Sequence, residues 1–101
     1  MKEFDELVDI ISKLRKECPW DKEQTHESLS KHLIEEAYEL LDSLAKLDYK
    51  EESIHNLKSE LGDLLLQILL HSNIASENGY FSIVNVVDTL NKKLVKRHPH
   101  V

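Results

Sequence analysis

Apolar residues return every three or four positions along most of the chain, and that period commits it to helices. Phe4, Leu7, Ile11 and Leu14 form one stripe, and Leu29, Leu33, Leu40, Leu44 and Leu47 form a second. Ile83, Val86 or Val87, Leu90 and Leu94 form the last. Two glycines and two prolines in 101 residues are too few for a turn-rich β fold. The pattern predicts a first helix from Lys2 to Lys16, stopped by Pro19, and a polar connection from Cys18 to Thr25. A second helix begins at Thr25 or Ser28 and runs to Leu47, and polar residues from Asp48 to Glu52 mark a loop. A third spans Ser53 to Asn78, with Gly79 as a left-handed stop. A fourth follows Ser82 as N-cap and is closed by Pro99. Each helix has one apolar face, so the expected fold is all-α and four-helix bundle-like. A chain of this length makes one domain, 1–101, with a thin core, and association into a dimer or higher oligomer is expected.

The charge balance narrows the partners. A formal net charge of −6 provides no basic field to recruit nucleic acid nonspecifically. Cys18 is alone, so no internal disulfide can form. The amino-terminal MKEFDELVDI is charged and lacks a signal-peptide apolar stretch. The longest apolar run, Leu64 to Leu70, is interrupted by Gln67 and falls well short of the ~20 residues needed to span a bilayer. These features together predict a soluble, cytoplasmic protein with no nucleic-acid or membrane partner.

The anomaly lies on the second and third helices. Residues three and four apart share a helical face. Glu36 therefore falls inside a leucine stripe between Leu33 and Leu40, with Glu39 one turn on and Glu35 on the same side. Glu60 likewise sits between Leu57 and Leu64, with Asp63 following. An ionised carboxylate facing a core costs several kcal/mol unless it is paired, and no Lys or Arg stands at matching stripe positions. A divalent cation resolves the conflict, and all-oxygen ligands suit Mg²⁺, with Mn²⁺ as a substitute. The competing reading is a pair of solvated acidic helix faces. Gly62, between Glu60 and Asp63, is expected to mark a close helix approach or room beside Glu60.

Glu35-Glu36-x-x-Glu39, followed after twenty residues by Glu60-x-x-Asp63, resembles the EExxE…ExxD pattern of the all-α nucleoside triphosphate pyrophosphohydrolases. The blocks Cys18-Pro-Trp-Asp-Lys-Glu-Gln-Thr-His26, Glu35-Glu-Ala-Tyr-Glu39, Glu60-Leu-Gly-Asp-Leu-Leu-Leu-Gln67 and Arg97-His-Pro-His-Val101 are similar to those of MazG domains, in the same order. The resemblance implies cleavage between the α- and β-phosphates of nucleoside triphosphates or deoxynucleoside triphosphates by helical dimers or higher oligomers. It implies Glu36, Glu39, Glu60 and Asp63 as metal ligands and Glu35 as a supporting acid. Lys93 and Arg97 match basic positions that approach the phosphates. Many relatives continue past the block that ends at Val101, often into a second MazG domain, so the resemblance allows the chain to be the N-terminal domain of a longer protein.

Cleavage needs a proton acceptor for the attacking water, a role open to Glu35 or Glu39. Lys93 and Arg97, four apart, can hold pyrophosphate, or simply complement a helix C-terminus. Trp20 can stack a base and Lys22 can reach a phosphate; a loop anchor and a solvated Lys are the alternatives. The histidines show no recognisable zinc spacing. A non-catalytic, oligomerising nucleotide-binding module is the rival to an enzyme.

Overall fold

Local chemistry fixes the helix ends in the computed structural model, which describes residues 1–101. The elements are α1 (Lys2–Glu17), α2 (Pro19–Glu23), α3 (His26–Ala45), α4 (Glu51–Glu77) and α5 (Ile83–Arg97). No helix is long and apolar enough to cross a membrane. Thr25 caps α3 through a reciprocal box with Ser28, and Ser82 caps α5 through one with Asn85. At the end of α4, Gly79 adopts φ +76°, the Gly79 amide donates to the Ser76 carbonyl and the Tyr80 amide donates to that of Ala75. This is the left-handed stop expected of that glycine.

The sequence pattern predicts four helices and the structure has five. α2 occupies the segment read as a polar connection. Cys18, preceding proline, is extended (φ −84°, ψ 120°) and breaks α1. Pro19 then starts a new turn where its missing amide hydrogen leaves nothing unpaired. Five residues are too few for apolar periodicity to register, which is why the sequence reading missed it.

α3 and α4 form an antiparallel hairpin, and α1 and α5 each pack against α4. The hairpin turn is built around Asp48, whose Oδ1 accepts from the Ser53 hydroxyl (2.6 Å) and the Lys50 amide (3.0 Å). The apolar core sits at the opposite end of the hairpin, where Ile11, Leu29, Leu69, Leu70 and Ile74 are buried together. Phe4, Leu7, Val8, Leu66 and Ile83 pack around them. At that same end the Nδ1 atoms of His26 and His71 are hydrogen-bonded at 2.8 Å, tying the start of α3 to α4.

The bundle expected from the sequence is open in the single chain. Only nine residues are buried, and the expected stripes are partly bare: Leu44, Leu90 and Leu94 are about half exposed. The accessible surface is 7832 Å² for 11.8 kDa. A compact monomer of that mass exposes about 5,900 Å². The radius of gyration, 15.8 Å, likewise exceeds the ~13 Å of a compact domain of about 100 residues. Gly62 does not mark a close approach within the chain, because a Cβ placed there would meet nothing within 4 Å.

One ion pair ties the two ends of the sequence together. The Arg15 guanidinium donates from Nε and Nη2 to the two carboxylate oxygens of Glu77 (2.9 and 2.8 Å). Its Nη1 donates to the carbonyls of Asp21 and Gln24. The Arg15 hydrogen bonds hold the Glu77 carboxyl below its ordinary value of 4.5, against a smaller opposing effect of burial. A depressed acid contributes stability that is present above the ordinary value and is lost as pH falls through the folded one. The Glu77 side chain is 42% exposed, so solvent screening limits the contribution to about 0.5–1 kcal/mol. Melting temperatures taken from about pH 6 down to about pH 3 are expected to fall more steeply in the wild type than in Glu77→Gln. Parallel slopes would remove the pair from the stability account.

Candidate metal centre

The α3–α4 hairpin brings together the two acids that the sequence places inside its stripes, Glu36 and Glu60, and the two beside them, Glu39 and Asp63. Glu36 and Glu39 come from α3 and Glu60 and Asp63 from α4. One carboxylate oxygen from each lies within 4.8 Å of the others. Glu36, Glu60 and Asp63 are half-buried and Glu39 is exposed, so the group opens to solvent on the Glu39 side. One oxygen of Glu36 and one of Glu60 are buried without any hydrogen-bond partner. Buried polar atoms nearly always find partners, and a buried charged oxygen without one is costly.

Electrostatics says the same. Burial raises the Glu36 carboxyl above its ordinary value, and the neighbouring charges of Glu39 and Asp63 push it further. Glu60 is raised by the same three causes in the same order. No Lys or Arg pairs with any of the four, and Lys46, the one lysine of this hairpin held in an ion pair, engages Asp42 at 2.9 Å. The four residues fit a hard divalent cation: the donors are all oxygen, they converge, and Glu36 and Glu60 each have one buried oxygen without a hydrogen-bond partner.

The other predicted residues are not part of this converging set. Glu35 lies outside the converging set, with its Oε2 at 3.7 Å from Nδ1 of His32. Trp20 and Lys22 are exposed on α2, and the Trp20 ring meets His32 edge-on, with centroids 5.8 Å apart and planes at 71°. Lys93 and Arg97 are exposed on α5, and within the chain neither is paired with a carboxylate. Gln67 and His71 continue the polar line along α4. Gln67 is buried, with its Oε1 lacking a partner, and burial followed by the proximity of His26 lowers the His71 pKa.

Sequence reasoning missed two neighbours. Asp42 adds its charge to those raising Glu60 and lines the cleft of about 520 Å³ beside Glu39. It lies three residues beyond Glu39, so the ExxE spacing carried on by one step would have found it. His32 precedes Glu36 by four residues and shares its face, a signal available from the same periodicity.

Comparison with known proteins identifies the family. Residues 24–101 match the MazG nucleotide pyrophosphohydrolase domain. The chain is 52% identical over 100 residues to the nucleoside triphosphate pyrophosphohydrolase/pyrophosphatase MazG of Thermotoga maritima, covering 97% of this chain and 37% of that protein. It is 39% identical over 104 residues to the nucleoside triphosphate pyrophosphohydrolase of Escherichia coli, covering all of this chain and 38% of that protein. It is also 48% identical over 101 residues to the uncharacterized protein YabN of Bacillus subtilis, covering 98% of this chain and 20% of that protein. The chain thus spans between a fifth and two fifths of the length of these relatives.

Mutual repulsion makes the carboxylate group a liability without cations and an asset with them. Millimolar Mg²⁺ or Mn²⁺ is expected to raise the melting temperature, because an ion bound only by the folded state stabilises it by mass action. Glu36→Gln is expected to melt higher than wild type in chelator and to lose most of the divalent-dependent gain. A Glu36→Gln protein that gains as much from Mg²⁺ as wild type would disprove the assignment.

Proposed function

Because the chain belongs to the MazG nucleotide pyrophosphohydrolase family, we propose that it hydrolyses nucleoside triphosphates or deoxynucleoside triphosphates between the α- and β-phosphates in the presence of Mg²⁺. The products are a nucleoside monophosphate and pyrophosphate, and the role is housekeeping of the nucleotide pool. The observation that carries this reading is the convergence of four carboxylates, two with buried, unpartnered oxygens, on the open side of a helical hairpin.

Glu36, Glu39, Glu60 and Asp63 hold the metal. A bound divalent ion neutralises phosphate oxygens and acidifies a water. Glu39, the exposed member of the set, or Glu35 just outside it, accepts the proton of the attacking water. The water oxygen bonds to the α-phosphorus as the bond from that phosphorus to the bridging oxygen breaks, and pyrophosphate leaves with the electron pair. Lys93 and Arg97, free of partners on α5, take the charge of the departing phosphates. Trp20 and Lys22 serve the nucleoside and phosphate ends of the substrate.

The working unit in this reading is a homo-oligomer, a dimer or a dimer of dimers. Ile34, Tyr38 and Leu41 on α3 and Ile54, Leu61, Leu65 and Ile68 on α4 leave an apolar stripe on each helix of the hairpin open to water. A second hairpin laid on these stripes completes the four-helix bundle, and Gly62 between them leaves space for it.

A pyrophosphate-release panel across nucleoside and deoxynucleoside triphosphates tests the activity. Turnover should require Mg²⁺, and Glu36→Gln or Asp63→Asn should reduce it at least ~100-fold while helical circular dichroism is retained. Nucleotide binding without turnover in the wild type would favour a regulatory module instead. For the assembly, sedimentation velocity should find the wild type above monomer mass and Leu61→Lys shifted towards monomer. A monomeric wild type at micromolar concentration would rule out the bundle-completing dimer.

A further inference from the structure

We infer that Arg15 is a positioning residue that sets Trp20, backed by His32, as a stacking surface for a nucleobase beside the carboxylate centre. The inference deepens the nucleotide reading above and rests on it. It begins with α2, whose five residues are too few to hold a helix unaided. The backbone of α2 packs on α1, and its Trp20 ring reaches His32 on α3. At its end the Asp21 carbonyl accepts from the Gln24 amide, and the Arg15 Nη1 donates to that carbonyl and to the Gln24 carbonyl. The Gln24 side chain in turn donates to the Trp20 carbonyl at 2.9 Å. The far edge of the same guanidinium is fixed by both oxygens of Glu77 on α4. One planar group therefore ties α2 to the helix that carries Glu60 and Asp63.

The consequence falls on Trp20. Its indole is half exposed, and its one aromatic neighbour is His32 on α3. His32 lies one helical turn, about 6 Å along the axis, before Glu36 and on the same face. A large aromatic surface is thus held open to solvent against His32, which stands one turn from the metal ligand Glu36 of the proposed site. Bases of any identity stack on such a surface, so the platform supplies affinity for the nucleoside with little choice among bases.

Arg15→Lys separates positioning from mere stability. A lysine can keep the charge opposite Glu77, but it cannot pair both oxygens and both carbonyls at once. Trp20 is the sole tryptophan, so intrinsic fluorescence reports on it alone. The probe is α,β-methylene-ATP with Mg²⁺, in which the scissile bridge is carbon; inorganic triphosphate with Mg²⁺ is the control, and calorimetry supplies both dissociation constants. In the wild type the nucleotide should quench Trp20 and inorganic triphosphate should not. In Arg15→Lys, with circular dichroism unchanged, the quench should shrink and the nucleotide Kd should rise about ten-fold, the order of one lost base stack. The Kd for inorganic triphosphate should stay as it was. His32→Ala should also shrink the quench. Equal quenching by both ligands, or a wild-type quench and Kd in Arg15→Lys, would overturn the inference. Turnover is measured separately, so a protein that binds as described but does not hydrolyse defeats the enzymatic reading and leaves this one standing.

Discussion

The repulsion among four carboxylates at one level of the α3–α4 hairpin is the constraint to which the rest of the structure answers. Glu36, Glu39, Glu60 and Asp63 bring oxygens within 4.8 Å of one another with no basic side chain among them. Such a group can persist in a folded chain only if attraction elsewhere fixes the helix register, because the acids themselves push α3 and α4 apart. The attraction comes from both ends. Beyond the acids, Leu29 on α3 is buried with Leu69, Leu70 and Ile74 on α4, and the His26–His71 hydrogen bond pins the same end. At the turn, the Asp48 carboxylate gathers the Ser53 hydroxyl and the Lys50 amide. The acids lie between two anchors, and a slip of one residue would carry Glu36 off the facing stripe.

The separation of core from site is what allows the site to be strained. Ile11, Leu29 and Leu70, the largest fully buried side chains, lie at the end of the hairpin distant from the turn, where α1 and the start of α5 pack on α4. Stability is concentrated there, and the carboxylate level lacks it. Raised Glu36 and Glu60 are the signature of this division: burial and like charge both favour the protonated form, and only a cation reverses the preference.

The sequence disclosed whatever is local and periodic. A leucine stripe interrupted by Glu36, and another by Glu60, identified both the helices and the centre, because an acid on a buried face has no ordinary explanation within a helix. α2 escaped notice because five residues carry no period, although Pro19 after an extended Cys18 is its local mark. The Arg15–Glu77 pair was beyond reach, since 62 residues separate its members and nothing near either one announces the other. Of the two readings of Gly62, the close approach fails within the chain for a related reason. A mid-helix glycine suggests a close neighbour, but periodicity does not say whether that neighbour lies in the same chain, and here the space beside it is open. The same ambiguity explains why stripes read as core in α3 and α5 are partly bare.

Those bare stripes and the acidic centre lie on the same two helices, and this joins assembly to chemistry. Ile34, Tyr38 and Leu41 flank Glu36 and Glu39 along α3, as Leu61 and Leu65 flank Glu60 and Asp63 along α4. A second hairpin laid over the apolar stripes would remove water from the outer side of both helices. The lower local dielectric would strengthen repulsion among the carboxylates and, by the same factor, their attraction for a divalent cation. Cation binding and association therefore favour one another on physical grounds: the metal removes the penalty that dimer burial would increase, and burial tightens the hold on the metal.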